Sequence, residues 1–255
     1  MIPKMKDQSM PTDIVYNDLH MGSCGDRCAA KYNFTREQQD DFAVQSFQRS
    51  IAAAKAGSFA REIVPVEAPV GKNKVNIVED EGPGRFDEKK LRQLRPAFGK
   101  EGTITAGNAS SLNDGAAAVV VTSGDRAAAL GIKPVAKILG YSTASREPEW
   151  FTIAPVDALR KLLQKLQLKV SDIGLFEINE AFAVVTMAAM KDLEIPHEKV
   201  NVHGGAVALG HPIGTSGTRT LVTLLNAMQE RSQRIGITTL CIGGGEAVAM
   251  AVEMV

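Results

Sequence analysis

The stretch Leu175-Phe-Glu-Ile-Asn-Glu-Ala-Phe-Ala-Val-Val-Thr-Met-Ala-Ala-Met190 decides the fold, because a short apolar run passes through a polar pair directly into a helical pattern. The run Leu175 to Ile178 has the length and composition of a buried strand, and Glu180 to Asp192 is predicted to be a helix. Strands and helices of similar length alternate on both sides of this stretch. Such alternation indicates a layered α/β fold built around one sheet.

The predicted elements on either side of this stretch support the same architecture. Before it lie a buried strand from Ala116 to Thr122, a helix from Gly124 to Leu130 that ends at Gly131, a strand from Val135 to Tyr141, and a helix from Pro155 to Leu166. After it lie the glycine-rich loop Asn201 to Gly214, a helix carrying Leu221, Leu224, Leu225 and Met228, and strands Ile235 to Leu240 and Ala247 to Val252.

The first third of the chain has a different texture. Thr35 and Gln38 form a capping-box pattern, and apolar residues then repeat at helical spacing until Gly57. Beyond this helix, Ile63 to Val66 and Lys74 to Val78 are short β-prone segments broken by Pro, Gly and charge. We therefore expect one amphipathic helix followed by an irregular surface lobe with a solvated acidic turn.

Composition excludes several classes of protein. The chain has 255 residues, 44% of them hydrophobic, and its 29 basic side chains balance 29 acidic ones. A net charge of zero predicts no broad surface for nucleic acid or an anionic membrane. The longest apolar run, Ala116 to Val121, is too short to span a bilayer, and three cysteines cannot form a disulfide framework. We expect a soluble protein in the cytoplasm, with an organelle as the alternative if a targeting segment is missing.

Polar side chains at strand ends predict the functional site. Asn179 follows one apolar strand and Cys241 follows another, and ligands of open α/β sheets bind at the carboxyl ends of strands. His211 precedes a helix, whose amino terminus disfavours imidazolium and leaves a neutral base. The backbone amides of Gly243-Gly-Gly245 are expected to lower the pKa of Cys241 below those of the other two cysteines. A base, a thiol and amide donors suit acyl transfer or enolate chemistry.

Each of these features also has a structural interpretation. A single cysteine is usually a small core residue, and glycine-rich loops usually only turn. A phosphate site is disfavoured because the P-loop and dinucleotide fingerprints are missing. Cys24 and Cys28 match no standard zinc spacing, even with His20, His197 and His203, so we expect packing or surface roles and no metal.

Three ordered motifs carry a family resemblance. Asn179-Glu-Ala-Phe182, Gly204-Gly-Ala-Val-Ala-Leu-Gly-His-Pro-Ile-Gly214 and Cys241-Ile-Gly-Gly-Gly245 closely resemble the carboxyl-terminal active-site motifs of the thiolase family. Thr105 to Gly115 and His20-Met-Gly22 resemble that family's CoA-binding region. The resemblance covers essentially the whole chain, and within the family it is strongest to acetyl-CoA acetyltransferases.

The resemblance implies a reversible Claisen condensation of two acetyl-CoA to acetoacetyl-CoA and CoA, or thiolysis of a 3-ketoacyl-CoA. It implies that His211 is the base, that Cys241 removes and returns the methyl proton, and that Asn179 fixes a water in an oxyanion hole. It assigns the other roles as follows: Gly243 donates a backbone amide to a second oxyanion hole, Ser110 contacts CoA, and His20, Met21 and Leu112 line the pantetheine path. No tightly bound cofactor is implied beyond the CoA thioester substrate, and the family forms homodimers or homotetramers.

One departure from the family pattern is serious. The acylated cysteine of thiolases is followed by two small residues and Gly, and nothing before Cys241 has that form. We therefore expect a chain that lacks the first part of a thiolase and is incomplete for catalysis. The alternatives are a non-catalytic CoA-binding or scaffolding chain, and a subunit that requires a separate polypeptide carrying the cysteine.

The predicted domains follow from this resemblance. Residues 1–113 form a lobe with the CoA-binding segment, residues 114–131 supply the last strand and helix of the amino-terminal half, and residues 132–255 form the carboxyl-terminal domain. The strand Ala116 to Thr122 is expected to lose its sheet neighbours and to expose an apolar edge.

Overall fold

The computed structural model of the chain describes residues 19–255. The α-helices in this part of the chain are α1 (Met21–Tyr32), α2 (Arg36–Ala56), α3 (Glu81–Gly84), α4 (Glu88–Arg92), α5 (Gly124–Ala129), α6 (Ala154–Leu166), α7 (Ala183–Leu193), α8 (Ala206–Leu209) and α9 (Ser216–Glu230). The strands are β1 (Val66–Val70), β2 (Asn73–Ile77), β3 (Ala136–Ser145), β4 (Leu175–Ile178), β5 (Ile235–Ile242) and β6 (Glu246–Met254).

The main sheet contains four strands in the order β3-β6-β5-β4. β4 and β5 are parallel, whereas β6 is antiparallel to both of its neighbours. Two parallel strands need a crossover between them, and α7, α8 and α9 lie in the chain between β4 and β5. The carboxyl ends of β4 and β5 consequently meet at one edge of the sheet, which we call the site edge.

Helices cover both faces of this sheet. On one face, α6 packs against β3, β6 and β5 and against α7, and both helices share a buried cluster with alternate alanines of β6 and with Phe176 and Ile178 of β4. On the other face, α9 places Leu224 and Met228 against Leu175 and Val252. This arrangement confirms the layered α/β/α fold predicted from the strand and helix pattern.

The amino-terminal helices belong to the same core. Thr35 caps α2 through the reciprocal bonds of a capping box with Gln38, and Gly57 ends the helix in a left-handed conformation at φ 76°. These helix ends were predicted correctly. Cys24 and Cys28 of α1 are fully buried in the cluster formed by α6 and α7, so their packing role is confirmed.

The lobe after α2 contains an exposed hairpin. The predicted strand from Ile63 to Val66 is wrong, because β1 begins only at Val66 and continues to Val70. β2 lies close to its predicted position, and the two strands pair only with each other. The turn Glu79-Asp-Glu81 is exposed, as expected for a solvated acidic segment.

The predicted buried strand from Ala116 to Thr122 is also wrong. No residue of this segment lies in a helix or strand, and Val120 and Val121 are 98% and 68% exposed. A strand needs a neighbour for its backbone groups, and none of residues 19–255 pairs with this segment. Its exposure agrees with the expected loss of sheet neighbours.

Within residues 19–255, no helix combines the length and apolar character required to cross a membrane.

Candidate functional site

The site edge brings two of the sequence motifs together by strand pairing. Ile178 of β4 pairs with Thr239 of β5, and the backbone N–H of Asn179 donates to the Thr239 carbonyl at 3.0 Å. Cys241 lies two residues beyond Thr239 on β5. β5 extends two residues beyond its predicted end, so Cys241 lies within the strand, whereas Asn179 follows β4. Both residues lie at the same edge of the sheet, as predicted from the carboxyl ends of parallel strands.

His211 joins this edge from the loop between α8 and α9. Its Nε2 lies 3.4 Å from Asn179 Nδ2, and its Nδ1 lies 2.6 Å from Ser216 Oγ. The Ser216 hydroxyl donates to the Pro212 carbonyl at 3.0 Å. The imidazole is thus held between the residue that follows β4 and the first residue of α9.

The electrostatic environment keeps His211 neutral. Burial lowers the pKa of His211 to about 4, and the nearby positive charge of Arg219 lowers it further in the same direction. An imidazole with this pKa is unprotonated at pH 7 and can accept a proton. This agrees with the neutral base predicted from the sequence, although burial is the larger cause and the helix terminus is not needed to explain it.

The predicted pKa of Cys241 is wrong. Burial raises it to about 12, above the value of about 11 that burial gives both Cys24 and Cys28. The backbone of Cys241 itself lowers the pKa by a smaller amount. Burial therefore determines the direction of the shift, and the glycines of Gly243-Gly-Gly245 lie in the turn beyond the end of β5.

This turn connects β5 to β6 and contains the predicted oxyanion donor. Gly243 is exposed, and Gly244 and Gly245 adopt φ angles of 91° and 92° that other residues rarely take. The Gly245 carbonyl accepts the Arg146 backbone N–H at 2.9 Å, which anchors the turn to the end of β3. The glycines are therefore required for the shape of the turn, whatever ligand it receives.

The predicted CoA-binding segment lies against both motifs of the site. Ser110 donates from its hydroxyl and its backbone N–H to the Ala181 carbonyl, at 2.9 and 3.1 Å. The His211 backbone N–H donates to the Ser111 carbonyl at 2.8 Å, and Leu112 forms an isolated bridge with His211. Leu112 is more than half exposed, so its side chain is accessible beside the imidazole.

His20 and Met21 lie at the start of α1. His20 caps this helix by accepting the Gly22 N–H at 3.3 Å, and its ring stacks on Phe98 with centroids 4.6 Å apart. Phe98 in turn contacts the ring of Phe182 edge-on. Met21 is partly buried against the main core. His20 thus reaches the Asn179-Glu-Ala-Phe182 motif through one intervening aromatic ring.

Sequence reasoning missed two charged residues behind Asn179. Arg219 of α9 donates to Glu177 Oε1 at 2.9 Å and to Asn179 Oδ1 at 3.4 Å. Burial raises the pKa of Glu177 to about 8, against the opposing effect of Arg219. A glutamate inside the apolar strand Leu175-Phe-Glu-Ile178 was the available signal, because a buried carboxylate requires a partner.

Glu180 belongs to the motif Asn179-Glu-Ala-Phe182, but its contacts were not predicted from the sequence. Its buried carboxylate accepts the Ser46 hydroxyl at 2.7 Å, Asn201 Nδ2 at 2.8 Å and the Val207 backbone N–H at 3.1 Å. Burial raises its pKa, and these three donors oppose the increase. Glu180 therefore ties α2, the glycine-rich loop and α8 to the end of β4.

Among residues 19–255, no three His, Cys, Asp or Glu side chains are arranged to hold a metal ion.

Comparison with known proteins places these motifs in a family context. The sequence profile described as "Thiolase, N-terminal domain" matches residues 3–125, and "Thiolase, C-terminal domain" matches residues 132–254. Acetyl-CoA acetyltransferase 2 of Arabidopsis thaliana is 54% identical over 94% of this chain and 60% of its own length. A probable acetyl-CoA acyltransferase of Staphylococcus aureus is 46% identical over 98% and 66%, respectively.

Solved structures share the fold. The acetyl-CoA acetyltransferase of Bacillus anthracis superposes with a TM-score of 0.90 at 41% identity, covering 93% of this chain and 60% of that one. The Acat5 thiolase of Ascaris suum, solved in complex with coenzyme A, has a TM-score of 0.88 at 44% identity over the same shares. The chain spans about 60% of the length of these structures and of the Arabidopsis relative.

Proposed function

The chain belongs to the thiolase family, and from that premise we propose that it carries the condensing site of an acetyl-CoA acetyltransferase. The reaction is the Claisen condensation of two acetyl-CoA, or its reverse, the thiolysis of a 3-ketoacyl-CoA. The observation that carries the proposal is the neutral His211 held by Asn179 at the sheet edge where Cys241 also lies. The names of the relatives support acetyl transfer to and from CoA.

Each site residue has a proposed step. His211 accepts a proton from the acyl-carrying thiol, and Asn179 positions a water that binds the thioester oxygen together with His211. In condensation the thiolate form of Cys241 takes the methyl proton of acetyl-CoA, and the carbanion forms the new carbon–carbon bond as the acyl–sulfur bond to the acyl-carrying thiol breaks. In thiolysis the protonated thiol of Cys241 gives a proton to the departing carbon as the carbon–carbon bond breaks. Because its pKa is about 12, the thiol is protonated at pH 7, which suits the proton-donating role in thiolysis. Gly243 donates its backbone N–H to the second oxyanion.

The CoA thioester is proposed to lie over the segment formed by Ser110 and Leu112, with His20 and Met21 along the pantetheine path. The contacts of Ser110 with Ala181 and of Leu112 with His211 support this, because they place the segment beside the base. The complex of the Ascaris relative with coenzyme A supports the class of ligand. Self-association as a dimer or tetramer, a cytoplasmic compartment and the domain limits 1–113, 114–131 and 132–255 stay predictions.

Catalysis also needs a thiol that carries the acyl group. Cys24 and Cys28 are fully buried in the core and do not match the family's acylated-cysteine pattern. We therefore expect the 255-residue chain to bind CoA without turning over acetoacetyl-CoA. We expect turnover from the same chain extended at its amino terminus with the corresponding residues of the Arabidopsis acetyltransferase.

The test measures CoA-dependent loss of acetoacetyl-CoA absorbance by both chains, with CoA binding followed by calorimetry. In the extended chain, His211→Ala should abolish turnover, whereas His197→Ala should preserve it, because His197 stacks on Phe42 away from the site. A folded extended chain without activity would contradict the proposed function. So would activity that survives the loss of His211, or robust turnover by the 255-residue chain.

A further inference from the structure

Two residues of α9, three positions apart, hold the Asn179–His211 pair from both ends. Ser216 contacts His211 Nδ1 at 2.6 Å, and Arg219 contacts Asn179 Oδ1 at 3.4 Å. Residues three apart lie on the same face of a helix, so one rigid element presents both groups to the site edge. These contacts also determine the direction of the hydrogen bonds, because the side chains of Arg219, Asn179, His211 and Ser216 differ in whether they can donate or accept.

The direction of the hydrogen bonds follows from the guanidinium. Arginine has donors and no acceptor, so the atom of Asn179 that faces Arg219 must be the carbonyl oxygen. The amide nitrogen then faces His211 Nε2 and can only donate, which requires a lone pair on Nε2. In a neutral imidazole the proton consequently resides on Nδ1, where it is donated to Ser216 Oγ. The Ser216 hydroxyl uses its own proton to donate to the Pro212 carbonyl, so its oxygen is available to accept the Nδ1 proton.

We propose that Arg219 is a positioning residue that fixes His211 in the Nδ1–H tautomer by orienting the Asn179 amide. This inference rests on the proposed function, because it defines Nε2 as the basic nitrogen of the site. The Asn179–Nε2 separation of 3.4 Å is long for a hydrogen bond, so this lone pair remains available to a stronger donor on a reactant.

Arg219 is itself held in place by acidic groups. Its guanidinium donates to buried Glu177 at 2.9 Å, and the charges of Glu62, Asp80 and Glu180 also act with it. Its Nε is buried without a hydrogen-bond partner among residues 19–255. The Oε1 atom of Glu177 in β4 accepts this hydrogen bond and thus keeps the guanidinium beside Asn179, which gives the glutamate inside an apolar strand a role at the site.

Nuclear magnetic resonance of the 15N-labelled 255-residue chain tests the proposal without any activity measurement. Long-range correlations between ring protons and nitrogens identify the tautomer of each of the four histidines. The His211 signals are assigned by their loss in His211→Gln. We expect only the Nδ1–H form in the wild type at neutral pH, and a mixture containing the Nε2–H form in Arg219→Met, because the free amide can then rotate.

Three further variants make the result decisive. Glu177→Gln combined with Arg219→Met avoids leaving a buried carboxylate unpaired, and it should show the same mixture if the single variant does not fold. Asn179→Asp places an acceptor opposite Nε2 and should shift His211 to a form protonated at Nε2. Arg234→Met removes an exposed arginine that pairs with Glu253, and it should leave the His211 tautomer unchanged.

A pH titration of the same spectra adds a second readout. Arg219 is the charged group that acts on His211, and it lowers the histidine pKa together with burial, so Arg219→Met should raise that pKa. A folded Arg219→Met chain that keeps the pure Nδ1–H form would overturn the proposal, as would an Nε2–H wild type. Inactivity of the extended chain with the expected tautomers would instead refute only the proposed function.

Discussion

Glu180 provides a direct test of what holds the glycine-rich loop against the sheet. Glu180→Ala removes an acceptor shared by Ser46, Asn201 and the Val207 N–H. Asn201 keeps a second bond to the Ile178 carbonyl, and the Ser46 hydroxyl can turn. The Val207 backbone N–H loses its acceptor, because the alanine side chain has no oxygen to replace Glu180 Oε2.

The magnitude of the effect follows from these contacts. A buried donor left unsatisfied costs about 1–3 kcal/mol, and three donors are affected to different degrees. Removing a buried carboxylate, whose pKa burial has raised, offsets part of the loss. We expect the free energy of unfolding to fall by about 3 kcal/mol, a substantial part of the roughly 5–15 kcal/mol typical of a folded domain.

Urea denaturation followed by fluorescence of Trp150, the single tryptophan, measures this loss. Glu180→Gln is the matched control, because it preserves the side-chain shape and one carbonyl acceptor, and it should cost about 1 kcal/mol. The reasoning is refuted if the free energy of unfolding of Glu180→Ala lies within about 1 kcal/mol of the wild-type value. It is also refuted if Glu180→Gln is destabilised as much as Glu180→Ala, because the carboxylate would then not be the group that holds these segments together.

Two further predictions concern buried ionisable side chains: one is tested by the pH dependence of stability and the other by cysteine labelling. Because burial raises the pKa of Glu177 from 4.5 to about 8, the folded chain holds a proton there that the unfolded chain has released, so this group's contribution to stability should fall as the pH rises from about 4.5 to about 8. Glu177→Gln should remove up to about 1.4 kcal/mol per pH unit from this slope, and an unchanged slope in urea titrations would contradict the assignment. Limiting iodoacetamide at neutral pH should label Cys24, Cys28 and Cys241 slowly in the folded chain and rapidly in urea, with Cys241 no faster than the others. Peptide mapping that finds Cys241 modified first in folded protein would contradict the effect of burial.

The elements predicted best are those whose ends are encoded locally. Thr35, Gln38 and Gly57 supply both caps of α2 within the helix and its flanking residues. The apolar run of β4 and its polar end at Asn179 likewise require no distant information. For the same reason, the meeting of Asn179 and Cys241 could be predicted, because parallel strands align their carboxyl ends whatever packs around them.

The interactions that sequence reasoning missed depend on distant partners or on burial. Arg219 and Glu177 are 42 positions apart, and neither residue alone predicts the other. The predicted direction of the Cys241 pKa shift was wrong for a related reason, because the prediction relied on the amides of glycines that are adjacent in sequence. In the structure burial, a property of the whole fold, is the largest influence on the thiol and determines the direction of the shift.

The contrast between β4 and the segment from Ala116 to Thr122 shows why one predicted strand forms and the other does not. Both are short apolar runs bounded by polar or turn residues, and local pattern favours a strand in each. All four residues of β4 are buried, because β5 pairs with its backbone and α9 covers one of its faces. The other segment has no strand beside it among residues 19–255, and Val120 is 98% exposed. Apolar composition specifies which residues can form a strand, whereas pairing decides whether the strand forms.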